Sequence, residues 1–431
     1  TSSRLLLIEA GVLPRRYAGS ELTDELETAG ALVAFGDYDH IDSAGRRSAP
    51  VFAARFDRFH SAAAGLCGGM ALLEQDSLAG LPQTLPACQP NCIAAIVQML
   101  AERHGESRIC HAPLIVSHVS ERVDPERLRA RSYRPSKARR RQSAATPLLT
   151  LIIPSRDRVD LLSSAVRTLF LGPDDPRVEL IVVDHNSVLP ETMVYLSELS
   201  LRARARVLRV EGPFNFSRLV NRGAGAAMGE VLCLANDDIE AIDADWLEPL
   251  VAVAGEPDVG AVAPKLLYPD GCVQHAGVAV GVAGLAVHAG RLRPAGDPGP
   301  GRILHGTRSW SAVTAAFLLT PRRCFEHFGG FDERIAIEFG DTDYCLRLAE
   351  AGFRSVCVND VRHLHRESQT RRRPARGPVF EQCARDRALF QHRWSARLAR
   401  DPWYPPKLSR VGTDLGLGAP PLRRRSRGSS Q

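Results

Sequence analysis

The sequence that decides the fold is LLTLIIPSRDR at residues 148–158, an apolar run that ends abruptly in polar residues. Residues 178–187, VELIVVDHNS, and residues 231–238, VLCLANDD, repeat this arrangement. Helical periodicity fills the segments at 159–171 and 217–228. Short apolar strands that alternate with helices are typical of a mostly parallel sheet with helices on both faces. The sequence therefore predicts an α/β fold.

Polar side chains cluster where these strands end, and ligands of such sheets bind at the carboxyl ends of the strands. The first two turns can hold a nucleotide base and ribose, although polar residues after strands are also ordinary turn formers. The third turn places the adjacent carboxylates Asp237 and Asp238 after an apolar strand, where they usually need a cation or solvent. Oxygen ligands favour Mg²⁺ or Mn²⁺. The alternative role for these acids, a helix cap before Trp246, is better served by Asp243.

A second pair of acids, Asp341 and Asp343, opens the amphipathic segment FGDTDYCLRL at residues 339–348. The pair could compensate the charge of a helix N-terminus, or one acid could be a general base at the lip of a site. Side chains two positions apart, as these are, point roughly 200° apart around a helix. The two carboxylates therefore cannot both face the same acceptor. We expect one acid to be catalytic and the other to serve the structure.

Composition and charge limit the classes of protein that fit. No apolar run approaches the ~18–20 residues of a membrane helix. Ten cysteines without a CxxC pair argue against a zinc site or disulfide framework and suggest a cytoplasmic protein. The net charge of +6 is concentrated partly at residues 122–141 and 423–427. These basic runs are typical of solvated segments or, alternatively, of peripheral contact with anionic lipid at the inner membrane. They do not favour nucleic acid, because Tyr133 is the one aromatic residue among them.

Taken in order, the motifs PSRDR, VVDHNS, ANDD and GDTDYCLRL resemble those of family 2 glycosyltransferases with the GT-A fold. The similarity is greatest to the bacterial rhamnosyltransferase-like group that acts on surface polysaccharide. It extends over roughly residues 148–375 and includes Asn215-Phe216-Ser217, Asn221-Arg222-Gly223, the run VQHAG at residues 273–277 and GGFDE at residues 329–333.

This resemblance implies an inverting enzyme that moves a sugar from a UDP- or dTDP-sugar to a hydroxyl of a saccharide or lipid-linked acceptor. It implies Mg²⁺ or Mn²⁺ as cofactor, with Asp238 as the principal ligand, Asn236 in place of the usual first acid, and His365 as a metal or pyrophosphate ligand. A lone histidine is, however, also often structural. The base position falls on Asp341, but Gly340 replaces the usual residue before it and leaves Asp343 open. The positions implied for the nucleotide are Pro154, Ser155, Arg156, Asp157, Asp184, Asn186, Asn215, Asn221 and Asp237.

The first 120 residues resemble the second half of that domain. Residues 70–73, 100–102 and 114–118 match residues 316–319, 348–350 and 361–365 in the same order, which suggests an internal duplication, although chance similarity of Ala/Leu-rich segments is the alternative. Without gaps, Ile93 and Ala95 stand opposite Asp341 and Asp343. We therefore expect a degenerate half-domain without catalysis, which packs on the enzyme or completes an upstream half. The expected organisation is this half-domain at 1–120, a basic linker at 121–147, the catalytic domain at 148–375, and a helix with a basic tail at 376–431.

Two other classes of protein are alternatives. A dinucleotide oxidoreductase should show GxGxxG after its first strand, where this chain has PSRDR. A non-catalytic scaffold or sugar-binding protein is the stronger rival, because the first copy has lost its acids. The retention of Asp238 and Asp341 favours an enzyme.

Overall fold

The computed structural model describes residues 3–60, 67–81, 92–123, 148–170, 177–366 and 377–418. The linker expected at 121–147 lies outside the described residues from residue 124 onward, and so does the basic tail from residue 419. No helix in these described ranges is long and apolar enough to cross a bilayer.

The first unit is a six-stranded sheet in the order β1-β5-β3-β6-β2, with β4 paired to β3. Strands β3 and β6 run parallel, and every other pair is antiparallel. Its elements are β1 (Arg4–Ile8), β2 (Val12–Pro14), α1 (Ala18–Ala29), β3 (Val33–Ile41), β4 (Arg47–Val51), β5 (Met70–Glu74), α2 (Cys92–His104) and β6 (Ile109–Ser120).

The second unit is built on a larger sheet in the order β11-β18-β12-β17-β10-β7-β8-β9, with β13 paired to β12 and β16 to β18. Its first elements are β7 (Leu149–Ser155), α3 (Val159–Leu169), β8 (Val178–Asp184), α4 (Pro190–Ser200), β9 (Ala205–Arg209), α5 (Phe216–Ala226), β10 (Val231–Ala235), β11 (Ile239–Ala241), α6 (Leu247–Ala254) and β12 (Val259–Leu267). They are followed by β13 (Val273–His275), β14 (Val278–Val280), β15 (Ala286–His288), β16 (Thr307–Trp310), β17 (Phe317–Pro321), α7 (Arg322–His327), α8 (Gly340–Glu350), β18 (Arg354–His365) and α9 (Pro378–Ala399).

The predicted parallel arrangement is found in β7, β8, β9 and β10, which pair with one another in parallel. The rest of the sheet is mixed, because β17 inserts antiparallel between β10 and β12. Helices cover both faces: Leu151 and Ile153 belong to the core cluster beneath α3, whereas Ile152 faces α5. Helix α5 lies very close to β7, since a Cβ on Gly223 would stand 2.4 Å from Ile152 Cγ2. The chain therefore folds as a mixed α/β protein.

The two sheets share one arrangement of strands. The order β2-β6-β3-β5-β1 has the same sequence of elements and the same strand directions as β11-β18-β12-β17-β10, and β4 pairs with β3 as β13 pairs with β12. Val12 pairs with Val119 where Ile239 pairs with His365. The strand pairing thus aligns Val119 with His365, one residue beyond the match of His118 with His365 that an ungapped comparison gives.

The first unit is fixed to the second by buried polar contacts. Asp57 accepts hydrogen bonds from the backbone N–H of Ser309 at 2.7 Å and from its hydroxyl at 3.0 Å. Arg58 makes a two-pronged contact with Asp258, with N–O distances of 2.7 and 2.6 Å. Phe59 is fully buried in the core of the second unit. These contacts make residues 57–59 the anchor of the first unit.

Candidate functional site

A cleft of about 730 Å³ gathers four of the predicted site residues at one edge of the large sheet. Asn236 and Asp238 come from the turn after β10, His365 ends β18, and Asp341 lies in the first turn of α8. Asn236 and Asp238 are separated from Asp341 and His365 by more than a hundred positions in the sequence. The pairing of the strands brings them together.

The contact between Asp238 and His365 is set by the short strand β11. Its first residue, Ile239, pairs with His365, and the backbone carbonyl of Asp238 accepts a hydrogen bond from Arg366 N–H at 3.0 Å. Asp238 Oδ1 consequently lies 3.2 Å from His365 Nε2, with both side chains about 95% buried, at 5% and 6% exposure. The carboxylate and the imidazole therefore face the cleft as a fixed pair.

Both members of this pair keep unused bonding capacity. Apart from their mutual contact, Asp238 Oδ1 and His365 Nδ1 have no hydrogen-bond partner among the described residues. Buried polar atoms are rarely left in this state, and a carboxylate beside an imidazole suits a divalent cation. In the described part of the chain, no group of three or more His, Cys, Asp or Glu side chains is arranged to hold a metal ion. A cation at this pair would thus need further ligands from a bound molecule.

Asp237, the other acid of this turn, points to the neighbouring strand β7. Its Oδ2 accepts a hydrogen bond from the hydroxyl of Ser155 at 2.7 Å, at the end of β7. Burial raises the pKa of Asp237 to about 6, with a smaller opposing effect from the Ser155 hydrogen bond and a further increase from the charge of Asp238. The structure therefore uses Asp237 to join the turns after β7 and β10.

The carboxylate of Asp341 is held in place by backbone donors. Its Oδ2 accepts a hydrogen bond from Ala315 N–H at 2.9 Å, and its Oδ1 accepts one from Thr342 N–H at 2.7 Å. The preceding Gly340 packs against α5, where a Cβ would stand 3.0 Å from Ser217 Oγ. The half-buried carboxylate thus remains on the lining of the cleft.

Asp343, the alternative base, is completely buried and does not line the cleft. Its oxygens accept hydrogen bonds from Arg347 at 2.9 Å, from Arg393 at 2.6 Å and from the indole N–H of Trp394 at 2.9 Å. Arg393 and Trp394 belong to α9, so Asp343 joins α8 to the C-terminal helix. This geometry is that of a structural carboxylate.

Replacement of Asp343 by Ala is expected to destabilise the fold, because it leaves Arg347 and Arg393 without their shared carboxylate. A wholly buried pair costs roughly 3–5 kcal/mol when one partner is removed. We expect about 2–3 kcal/mol here, since both guanidinium side chains are about a quarter exposed, at 23% and 24%. Urea unfolding measures the change, with the exposed Asp245→Ala as a control within about 0.5 kcal/mol. Unchanged stability with lost turnover would identify Asp343 as the base.

The predicted nucleotide positions after β7 and β8 form a connected pair of turns. Asp157 accepts hydrogen bonds from Val188 N–H at 2.8 Å and Leu189 N–H at 2.9 Å, and these bonds lower its pKa. Asp184 accepts one from Ser187 N–H at 3.0 Å and contacts Arg209 at 3.2 Å. Neither carboxylate lines the cleft. The remaining members of these turns are Pro154, Arg156, which is exposed, and Asn186, which has a left-handed φ of 56°.

Asn215 and Asn221 join helix α5 to the loop that precedes α8. Asn215 caps α5 by accepting a hydrogen bond from Arg218 N–H at 2.9 Å, and its amide donates to Glu333 O at 2.8 Å. Asn221 both donates to and accepts from the backbone of Phe331, each at 2.9 Å. The nucleotide contacts that the sequence predicts for both residues stay a prediction, and in the structure their amides hold the loop that precedes α8.

One important residue was missed by the sequence analysis. Asp386 of α9 is fully buried and accepts hydrogen bonds from the N–H groups of Ala336 at 3.1 Å, Ile337 at 2.7 Å and Glu338 at 3.0 Å. Residues 337 and 338 line the cleft directly before Asp341. Helix α9 thus fixes the segment that leads to Asp341. In the sequence, Asp386 is one acid among many polar residues of this helix, and nothing there indicates that it is buried. Gln274, His288, Arg291 and Arg387 also line the cleft without having been predicted.

Comparisons with known proteins agree with the motifs. The sequence profile of Glycosyl transferase family 2 matches residues 150–284. The uncharacterized protein y4gI of Sinorhizobium fredii is 37% identical over 277 residues, which are 64% of this chain and 30% of that protein. The O-antigen biosynthesis protein RfbC of Myxococcus xanthus is 38% identical over 273 residues, 63% of this chain and 21% of that protein. The chain thus spans less than a third of the length of these relatives.

Two solved structures are distantly similar. A mannosyltransferase of Pyrobaculum calidifontis in complex with GDP-Man and Mn²⁺ is 17% identical, covers 61% of this chain and 68% of its own, and has a TM-score of 0.42. GalNAc-T7 with UDP, GalNAc and Mn²⁺ is 17% identical, covers 58% and 45%, and has a TM-score of 0.43. The sequence relationships are closer than these structural ones: residues 150–284 match the Glycosyl transferase family 2 profile, and the two relatives are 37% and 38% identical to this chain.

Proposed function

We propose that this chain transfers a sugar from a nucleotide-diphosphate donor to a hydroxyl group of a saccharide or lipid-linked acceptor. The observation that carries the proposal is the single cleft that holds the pair Asp238 and His365 together with Asp341. Similarity to an O-antigen biosynthesis protein supports a role in cell-surface polysaccharide synthesis. The proposal of rhamnosyltransferase-like chemistry rests on the motifs alone.

Asp238 and His365 are the proposed protein ligands of Mg²⁺ or Mn²⁺, with the amide oxygen of Asn236 beside them. Their unused buried atoms support this role. Since two such side chains do not complete a divalent site, the diphosphate of the donor is expected to supply further oxygen ligands. When bound, such an ion offsets negative charge on the departing diphosphate.

The turns after β7 and β8 are the proposed binding surface for the base and ribose of UDP or dTDP. The carboxylates of Asp157 and Asp184 are occupied by backbone N–H groups, so we expect them to shape the turns. Contact with the nucleotide then falls to the backbone of these turns, to the exposed Arg156 and to Asn186. Ser155 contributes by holding Asp237.

Asp341 is the proposed general base. The acceptor oxygen attacks the anomeric carbon while Asp341 takes its proton, and the bond from that carbon to the diphosphate oxygen breaks with its electron pair. Attack from the face opposite the leaving group inverts the anomeric configuration, as in single displacements at sugar carbons. The backbone donors from Ala315 and Thr342 orient the carboxylate toward the cleft.

The test of the function is a transfer assay with a panel of nucleotide sugars and saccharide acceptors, with and without Mn²⁺ or Mg²⁺. We expect release of nucleoside diphosphate that depends on the acceptor and the metal, and a product of inverted anomeric configuration in its NMR coupling constants. Binding of sugar without turnover of any donor would favour the non-catalytic alternative. A retained anomeric configuration would exclude the single displacement.

The first unit is proposed to be a degenerate second half of a glycosyltransferase-like domain. Its shared strand order and strand directions support an origin by internal duplication. By register, Gly11 and Val119 stand where the second unit has Asp238 and His365. Without these ligands we expect no transfer at this sheet. Its buried acid Asp39 instead pairs with Arg47 and His118.

Replacement of Asp39 by Ala is accordingly expected to lower stability and leave turnover of the folded enzyme within about twofold of the parent, because a structural ion pair contributes no transition-state contact. The melting temperature and kcat are measured on the same sample, with Asp238→Ala assayed in parallel. Loss of kcat in a folded Asp39→Ala enzyme, with activity retained in Asp238→Ala, would place the chemistry in the first unit.

A further inference from the structure

A second depression, which we name the arginine depression, lies beside the cleft. It has a volume of about 580 Å³ and is lined by the three guanidinium side chains of Arg218, Arg334 and Arg385 together with the aromatic ring of Phe214. Glu333 is the one carboxylate in its lining. Arg334 is paired with Asp332 at 2.7 Å, so Arg218 and Arg385 are the guanidinium groups that the depression can offer to a ligand, together with an exposed aromatic surface.

The arginine depression and the cleft are lined by the same two segments of the chain, residues 214–218 and 333–338, which are hydrogen-bonded to each other. Phe216 N–H donates to Ala336 O at 2.7 Å, and the Ser217 hydroxyl donates to Ile335 O at 2.6 Å. Phe216 and Ser217 line the cleft, whereas Asn215 and Ala336 line the depression. A molecule that lies across this boundary contacts both sites at once.

Arg218 and Arg385 retain donors for a ligand. Arg218 forms no ion pair with any described residue: its Nη2 donates to the backbone oxygens of Glu211 and Pro213, and its buried Nε has no hydrogen-bond partner within the described ranges. Arg385 donates to the neutral amide oxygen of Gln382 at 2.8 Å and lies 4.0 Å from Glu381. Guanidinium groups in this state suit a carboxylate or phosphate, which they bind through paired N–H donors.

We propose that the arginine depression binds an anionic group, a phosphate or a carboxylate, carried by the acceptor whose hydroxyl lies at Asp341. This inference rests on the proposed function, because it places the acceptor on the Asp341 side of the cleft. The ring of Phe214, 41% exposed and held edge-on by His185 at 5.6 Å, offers the apolar contact that a sugar ring can use. The substrate class is thus an acidic saccharide acceptor.

The test compares a neutral acceptor with its phosphorylated and its carboxylate forms in the full chain. For the double substitution Arg218→Gln with Arg385→Gln, we expect KM for an acidic acceptor to rise about 10- to 100-fold, the range for lost charge-assisted hydrogen bonds. KM for the donor and kcat/KM for the neutral acceptor should remain unchanged. For the single substitution Arg385→Gln, at an exposed residue, KM for the acidic acceptor should rise about 3- to 10-fold. Arg385→Lys keeps the charge and should show a smaller rise in this KM. Whether phosphate or carboxylate shows the larger change identifies the anion.

Arg397→Gln is the matched control, because it removes the same charge from the same helix, about 18 Å along its axis and outside the depression. Calorimetry with glucose 6-phosphate, glucuronate and glucose provides a readout that does not need turnover. Binding of the two acids that is lost in the double substitution supports the depression even if no donor is turned over. Transfer that proceeds with equal KM for acidic acceptors in the parent and the double substitution overturns it.

Discussion

Replacement of Asp238 by Ala is expected to abolish transfer and to remove the metal dependence of nucleotide binding. The carboxylate is the charged member of the buried pair with His365, and without it the site offers a cation only neutral ligands. Loss of several kcal/mol of charge stabilisation corresponds to a decrease of at least about 10³-fold in kcat/KM. Calorimetry with UDP and dTDP, each with and without Mn²⁺ or Mg²⁺, measures the nucleotide affinity separately from turnover.

A loss of activity in Asp238→Ala is not expected to come from unfolding. The substitution removes a buried carboxylate whose Oδ1 contacts His365 Nε2 at 3.2 Å and has no other partner among the described residues, so the free energy of unfolding should fall by no more than about 1 kcal/mol. Asp245→Ala, an exposed acid in the following loop, is the control for the loss of one negative charge. Equal UDP and dTDP affinity in the parent enzyme, in Asp238→Ala and after chelation would exclude a metal at this pair.

The sequence predicts the parallel half of the sheet and the main cleft residues for one physical reason. Apolar strands that end in polar turns place those turns at one edge of a parallel sheet, and this holds for β7, β8 and β10. Asn236 and Asp238 are therefore predictable from local pattern alone. The antiparallel β17 is not, because its burial resembles that of its parallel neighbours and its direction depends on tertiary pairing.

The residues that could not be predicted are those whose partners are distant in the chain. The proposed choice of Asp341 over Asp343 rests on the contacts of Asp343 with Arg393 and Trp394, which lie about fifty positions away on α9. Asp386 on the same helix likewise acts on the backbone at residues 336–338. Neither contact has a local sequence pattern. An ungapped comparison of the two copies also misses the one-residue difference in the register of β6. The reason is that the pairing of β3 with β6 shifts between Gly36 and Asp37.

Replacement of Asp341 by Asn is expected to lower kcat by about 10²–10⁴-fold, the usual contribution of a general base. The amide has the shape of the carboxylate but cannot take the proton of the acceptor hydroxyl. Its single oxygen can accept from only one of the two backbone donors, Ala315 or Thr342, so we expect a loss in stability of about 1–2 kcal/mol. Calorimetry should give nearly unchanged donor affinity, because the residues proposed to bind metal and nucleotide are untouched.

Glu338→Gln is the matched comparison for Asp341→Asn, since Glu338 is another carboxylate on the cleft lining and is paired with Arg387 at 3.7 Å. If Asp341 is the base, Glu338→Gln retains most of its turnover, and only Asp341→Asn removes the fall of kcat/KM at acidic pH that protonation of a base produces. If Asp341→Asn turns over normally and either Glu338→Gln or Asp343→Asn is folded but inactive, the carboxylate removed in the inactive variant is the base. The three substitutions change one charge each within the same few residues, so the pattern of their pH profiles decides which carboxylate accepts the proton.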